Sequence, residues 1–250
     1  MKKSLFITGT DTGIGKTFVT GYLAALLRNN GINAVPYKPI QSGGINTNGK
    51  LLSEDVAFYQ SLTSLPYSQE ELCTYCLEDA VSPHLAIKKA NKNVEIAAIK
   101  KQLTKLQAEN DFVLVEGAGG LAVPLLDEQE RLYMTTDLIR DLQLPLLIVT
   151  EPHLGMINHT LMTVAYAQLK EIPIIGFIVN NMPRTPTRMQ QDNIEMIEKI
   201  SGFPILGMIP PMKEPIVANT NKMIESEDEV INLPLLFEKI EIFSLKKEEV

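Results

Sequence analysis

Residues 9–17 read GTDTGIGKT and directly follow the apolar run Leu5–Phe6–Ile7. Glycines in such a turn let backbone N–H groups face inward around an anion, and a helix opening behind them points its positive end at the same place. Lys16 is then placed to reach terminal phosphates, and the Thr17 hydroxyl to ligate a magnesium ion. The spacing departs from G-x-x-x-x-G-K-[ST], because Thr10 stands where the first glycine belongs and Gly9 lies one residue early. A Gly-Lys-Thr set between a buried strand and an amphipathic helix still predicts a nucleoside triphosphate site.

Magnesium held with a nucleotide takes oxygen ligands, usually one or two carboxylates besides phosphate and water. Glu116 ends the apolar run FVLV and opens EGAGG, where Gly117, Ala118 and Gly119 let backbone come close to a ligand. Asp55, in SED, opens an expected helix at 54–61. It reads equally as a metal ligand and as an acid offsetting the helix dipole. Lys38, in YKPIQSG with Ser42, is expected at the end of the second strand beside the phosphate loop. A second ammonium there suits chemistry that builds negative charge on a transferred phosphoryl group and on its acceptor. A solvated surface lysine is the competing reading.

These residues need a frame, and the chain supplies one. Apolar runs at 4–9, 33–38, 111–116, 145–150, 174–180 and 204–209 read as buried strands. Between them, Phe18, Val19, Tyr22, Leu23, Leu26 and Leu27 make a helical stripe closed by Gly31, and Ile96, Ile99, Leu103 and Leu106 make another. Helices are also expected near 156–171 and 187–201. The alternation predicts a single α/β domain over 1–250: a mostly parallel sheet with helices on both faces and ligands beyond the carboxyl ends of the strands. Residues 66–92 and 117–135 read as the least regular stretches.

The 250 residues carry a formal charge of −7, which argues against a broad nucleic-acid-binding face. No run approaches the roughly 20 apolar residues of a membrane span, and MKKSLFITG lacks the apolar core of a signal peptide, so the expected compartment is the cytoplasm. Cys73 and Cys76, in CTYC, have neither a second cysteine pair nor a histidine cluster to complete a metal site, and read as ordinary thiols. His84, His153 and His159 read as packed loop residues.

GTDTGIGKT, YKPIQSG, SED, SPH (82–84), VEGAGG (115–120), LGMINHT (154–160) and VNN (179–181) occur in the order and approximate spacing of dethiobiotin synthetase. The resemblance runs from about residue 5 to about residue 215, and the GTDT-x-x-GKT loop is specific to that family and its near relatives. It implies a P-loop fold and a homodimeric, magnesium- and ATP-dependent ligase. That family joins carbon dioxide to 7,8-diaminononanoate and closes the ureido ring, releasing ADP and phosphate. Carried onto this sequence, Gly13, Ile14, Gly15, Lys16, Thr17 and Phe18 hold the triphosphate, and Thr17, Asp55 and Glu116 organise magnesium. Thr12, Lys38 and Ser42 face the diamine and its carbamate. Asn180, with Asn181 beside it, reads the adenine, and Pro210, Pro211 and Met212 close over the base. Gly155, Met156, Ile157 and Asn158 open a helix whose N-terminus reaches the substrate carboxylate across the dimer.

Two rivals are weighed against this. Partition and septum-placing ATPases share the deviant loop but carry an extra lysine in a K-G-G-x-G-K form, where this chain has Thr10, Asp11 and Thr12. Some of them end in a basic membrane helix; the tail here has more glutamates than lysines. Cobyrinate-amidating ligases usually add a glutaminase domain, for which 250 residues leave no room.

Overall fold

Leu5, Phe6 and Ile7 are fully buried, and they alternate between two apolar clusters. Phe6, Val113, Val115 and Ile148 pack on one side, while Leu5, Ile7, Leu114, Leu147 and Val149 pack on the other. Side chains alternate along a strand, so runs that are apolar at every position need cover on both faces. At about 1.5–3 kcal/mol for each large aliphatic side chain taken out of water, these runs are the main drive for the central sheet.

The computed structural model describes residues 3–128, 131–214, 216–225 and 230–248. The elements run β1 (Lys3–Gly9), α1 (Lys16–Asn29), β2 (Ala34–Ser42), β3 (Ile45–Thr47), β4 (Lys50–Leu52), α2 (Glu54–Leu62), α3 (Gln69–Leu72) and β5 (Cys73–Leu77). There follow α4 (Pro83–Lys89), α5 (Ile96–Glu109), β6 (Phe112–Gly120), β7 (Pro124–Glu128), β8 (Arg131–Met134), α6 (Thr135–Leu142) and β9 (Leu146–Thr150). The chain ends with α7 (Met156–Leu169), β10 (Ile174–Val179), α8 (Arg188–Ser201), β11 (Ile205–Met208), α9 (Ile216–Glu225) and α10 (Leu233–Glu248).

Seven strands form one parallel sheet in the order β11-β10-β9-β1-β6-β2-β5. Val19, Leu23 and Leu27 of α1 cover one face together with Met223 of α9 and Leu236 of α10. Ile99 and Leu103 of α5, Val164 of α7 and Ile197 of α8 cover the other. The three-layer α/β architecture expected from the alternation is therefore present. No helix among the described residues is long and apolar enough to cross a membrane.

Three parts depart from the sequence expectation. Residues 66–92 are not irregular: they contain α3, α4 and the edge strand β5, whose CTYCL segment holds both free thiols. Residues 117–135 hold the end of β6 and an antiparallel hairpin, β7–β8. Lys38 lies in the middle of β2 rather than at its end. There β2 changes neighbours: Ala34–Tyr37 pair with β6, and Lys38–Ser42 pair with β5. The parting of β6 from β2 leaves Lys38 in the fork, and Pro39, which has no N–H to give, is tolerated at this point.

Beyond the resemblance, α10 packs onto the face that α1 also covers. Phe237 meets Phe112 edge-on with ring centroids 6.1 Å apart, and Lys3 Nζ reaches Glu241 Oε1 at 2.7 Å.

Candidate active site

The loop between β1 and α1 is shaped by two glycines in the left-handed region, Gly13 at φ 74° and Gly15 at φ 86°. Gly15 is the N-cap of α1 and no side chain caps that helix, whereas Ser53 caps α2 by accepting from the Val56 N–H at 3.1 Å. The first-turn N–H groups of α1 thus converge, with the helix dipole, on the phosphate loop. Gly9 has a use although it sits one residue early, since a Cβ there would lie 2.4 Å from Ile14 Cγ2. The isoleucine tucks against it and draws the loop closed.

Asn180 follows β10 and backs the same loop. Its N–H donates to the Thr150 carbonyl at 2.8 Å and its Nδ2 donates to the Ile14 carbonyl at 3.2 Å. A Cβ on Gly15 would come within 2.0 Å of that Nδ2. Asn180 Oδ1 is buried without a hydrogen-bond partner, so an acceptor waits beside the loop. Asn181 beside it is exposed, and its Nδ2 donates to Glu151 Oε1 at 2.6 Å.

Two lysines converge on two carboxylates. Lys16 Nζ donates to the Asp11 carbonyl at 3.1 Å. Lys38 Nζ lies 2.6 Å from Asp55 Oδ2 and 2.7 Å from Glu116 Oε1, and donates to the Gly117 carbonyl at 3.1 Å. Thr17 Oγ1 donates to the same Glu116 Oε1 at 3.0 Å, and the Tyr59 hydroxyl donates to Glu116 Oε2. Burial works against the Lys38 ammonium, but Glu116 and then Asp55 more than offset it and hold its pKa above the usual lysine value. For Lys16 burial is again the largest influence; Glu116 opposes it, and the net result is a lowered pKa. Burial, reinforced by Glu116, pushes the Tyr59 phenol well up, so it stays a donor. The solvated-lysine reading of Lys38 is set aside, because its side chain is only 5% exposed.

A cavity of about 270 Å³ opens onto this group, lined by Thr12, Gly13, Gly15, Lys16, Thr17, Lys38, Gln41, Ser42, Asp55, Glu116, Ala118 and Gly119. The donor set fits a magnesium nucleotide. It offers hard oxygens from Thr17, Asp55 and Glu116, two ammonium groups and an uncapped helix start. The two carboxylates already share one cation in Lys38, which shows that this spot stabilises positive charge. Gly117 is needed for close approach, since a Cβ there would stand 2.8 Å from the Phe6 ring.

Comparison with known proteins bears on what the cavity serves. A sequence-family model described as an AAA domain matches residues 3–217. ATP-dependent dethiobiotin synthetase BioD of Anoxybacillus flavithermus is 42% identical over 84% of this chain and 92% of its own length. The protein of the same name from Clostridium acetobutylicum is 37% identical over 98% of this chain and 99% of its own. The chain belongs to the dethiobiotin synthetase family. Among solved structures, a ParA family ATPase from Chlorobium tepidum superposes with a TM-score of 0.56 at 15% identity, covering 96% of this chain and 99% of that one. At that identity the likeness is one of fold, and the fold is that of the P-loop ATPases.

In this member of the dethiobiotin synthetase family, Thr12, Lys16, Thr17, Lys38, Ser42, Asp55 and Glu116 surround one cavity. Phe18 points elsewhere, stacking with Tyr22 at 6.2 Å between ring centroids. A second cavity, about 510 Å³, opens on the other side of Thr12 between Gly120–Val123 and the α7 residues Asn158, His159, Met162 and Tyr166. Gly155 caps α7 in the left-handed region at φ 97°, again with no side-chain cap. The Met156 side chain is fully buried and its N–H donates to the His153 carbonyl at 3.1 Å, so Met156 offers a ligand little. Pro210, Pro211 and Met212 follow β11, anchored beside Asn180 by the Ile209 N–H, which donates to the Val179 carbonyl at 2.8 Å. Tyr59 and Gln41 escaped the sequence reading. Tyr59 stands four residues after Asp55, so the two share a helix face, and that spacing was the available signal.

Proposed function

We propose that the chain works as an ATP-dependent dethiobiotin synthetase, joining carbon dioxide to 7,8-diaminononanoate and closing the ureido ring with release of ADP and phosphate. The relatives, both ATP-dependent dethiobiotin synthetases, support ATP-dependent dethiobiotin synthesis. The observation that carries it is the presence of Lys38 together with Lys16 in the phosphate-loop cavity, with Thr12 and Ser42 on its wall. A phosphoryl group moving to an acceptor that is itself anionic needs that second ammonium.

The chemistry follows from the substrates. A neutral amine nitrogen attacks carbon dioxide and loses a proton to give a carbamate. A carbamate oxygen attacks the γ-phosphorus, the bond to the β-phosphate oxygen breaks, and ADP leaves. The second amine attacks the carbonyl carbon of the mixed carbamic–phosphoric anhydride, phosphate departs, and the five-membered ring closes as the nitrogen loses its proton. No protein nucleophile is required, so positioning and charge neutralisation supply the rate. Lys16 and the N–H groups of residues 13–18 hold the triphosphate, and Lys38 meets the charge shared by phosphoryl group and carbamate. Thr17, Asp55 and Glu116 would hold magnesium, which when bound neutralises further charge on the phosphates. Asn180 Oδ1 would accept from the adenine amino group, with Pro210–Met212 closing over the base.

The same proposal makes the enzyme a cytoplasmic homodimer. The uncapped N-terminus of α7, through Gly155, Ile157 and Asn158 rather than Met156, would bind the substrate carboxylate of the partner subunit. The exposure of Met162 and Leu169 along that helix, and of Leu154 just before it, supports a covered face. One incubation tests the function: protein with diamine, bicarbonate and Mg-ATP. Phosphate release that requires both diamine and bicarbonate is the expected result, whereas release indifferent to both would indicate a nucleotide switch.

Glu116→Gln should weaken magnesium-dependent ATP binding about 10-fold, because an amide oxygen is a poorer ligand than a carboxylate. Titration of ATP with and without magnesium measures this. Unchanged Mg-ATP affinity would remove Glu116 from the ligand set.

A further inference from the structure

The Glu116 carboxylate uses its two oxygens differently. Oε1 accepts from Thr17 Oγ1 at 3.0 Å and from Lys38 Nζ at 2.7 Å, on the side of the phosphate cavity. Oε2 accepts from the hydroxyl of Tyr59, on the side of α2. The terminal torsion of a glutamate is broad, so nothing intrinsic fixes the plane of the carboxylate or the direction in which an oxygen faces a ligand. Here Glu116 is also followed by Gly117, which adds no side chain to brace it.

Tyr59 is built to supply that brace. It is fully buried, and its ring lies in the apolar cluster with Phe6, Tyr37 and Val56. The ring is therefore fixed by packing, and the hydroxyl is presented at one place. It stands one helical turn from Asp55 on α2, so a single helix face delivers a carboxylate to Lys38 and a hydroxyl to Glu116. The bracket spans both carboxylates and sets their separation.

We infer that Tyr59 is a positioning residue: its hydroxyl holds Glu116 Oε2 so that Oε1 is presented to Thr17 and to a divalent cation bound with the nucleotide. This rests on the reading of Glu116 as a metal ligand. Groups that orient a metal's ligands typically change affinity 10–100-fold when removed. Tyr59→Phe keeps the ring and deletes only the donor.

The test uses the full chain, ADP and Mn²⁺ as the probe, with bound manganese counted from the loss of the free-ion electron paramagnetic resonance signal. Tyr59→Phe is expected to weaken Mn²⁺ binding to the ADP complex about 10-fold, while metal-free ADP affinity stays within about two-fold of the parent. Glu116→Gln should weaken it at least as much, and adding Tyr59→Phe to Glu116→Gln should have little further effect, since the two act through one carboxylate. If Glu116→Gln weakens Mn²⁺ binding and Tyr59→Phe only lowers the unfolding temperature, Tyr59 is structural and the inference is overturned with the ligand reading intact. If Glu116→Gln leaves Mn²⁺ binding unchanged, both fall together.

Discussion

Lys38→Gln is expected to slow turnover about 100-fold or more while ATP still binds, through loss of the ammonium that meets developing charge at the transferred phosphoryl group. The site adds a second consequence. Lys38 is the shared cation of Asp55 and Glu116, and Glu116 is only 1% exposed. Removing one partner of such a buried cluster leaves carboxylate charge uncompensated, at a cost of about 3 kcal/mol. The variant should therefore unfold at lower urea than the parent in chelator, and Mg-ADP should recover more stability for it than for the parent. Steady-state kinetics and paired urea titrations check both halves. Near-normal turnover would take Lys38 out of the chemistry, and equal stability without metal would contradict its role as the cation shared by Asp55 and Glu116.

The second large effect is expected at Gly15→Ala, with ATP affinity falling about 100-fold. Two causes act together. Alanine at φ 86° is strained by about 1–2 kcal/mol, and its Cβ would stand 2.0 Å from Asn180 Nδ2. Relief requires Asn180 to release the Ile14 carbonyl, which loosens the loop at the point where it turns into α1. Gly31→Ala, beyond the far end of α1, controls for the stability that backbone strain alone costs. Gly31 has φ 77°, but a Cβ there meets nothing within 4 Å. That control should lose a comparable amount of stability and keep its affinity for ATP, measured by calorimetry on both variants. Equal affinities for the two would mean that neither the strain at Gly15 nor the contact with Asn180 matters for binding.

The frame was legible where burial is two-sided. Runs such as LFI and FVLV read as strands because both faces of the sheet are covered, and α8, expected at 187–201, occupies Arg188–Ser201. Strand β5 escaped notice because CTYCL is short and alternates buried with half-buried residues, as befits a strand at the sheet edge. The β7–β8 hairpin lies outside the main sheet, so its residues lack a continuous apolar run. Within the site, Lys16, Thr17 and Glu116 were legible because each ends or follows a buried strand. The burial of Lys38 was not, since it depends on where β2 exchanges β6 for β5, a matter of register between segments far apart in sequence. The Tyr59 contact was hidden for the same reason: 57 residues separate it from Glu116. Asn180 was reached only through the resemblance, and its tie to Ile14 spans 166 residues.

Strand β1 is made first but sits in the interior of the sheet, between β6 and β9. During synthesis the phosphate loop leaves the ribosome long before the strands that flank β1, and Asn180, which backs the loop, emerges later still. Nucleotide capture by the nascent chain must therefore await the emergence of Asn180 behind β10, and until its neighbours arrive the exposed β1 run has to be kept from pairing wrongly.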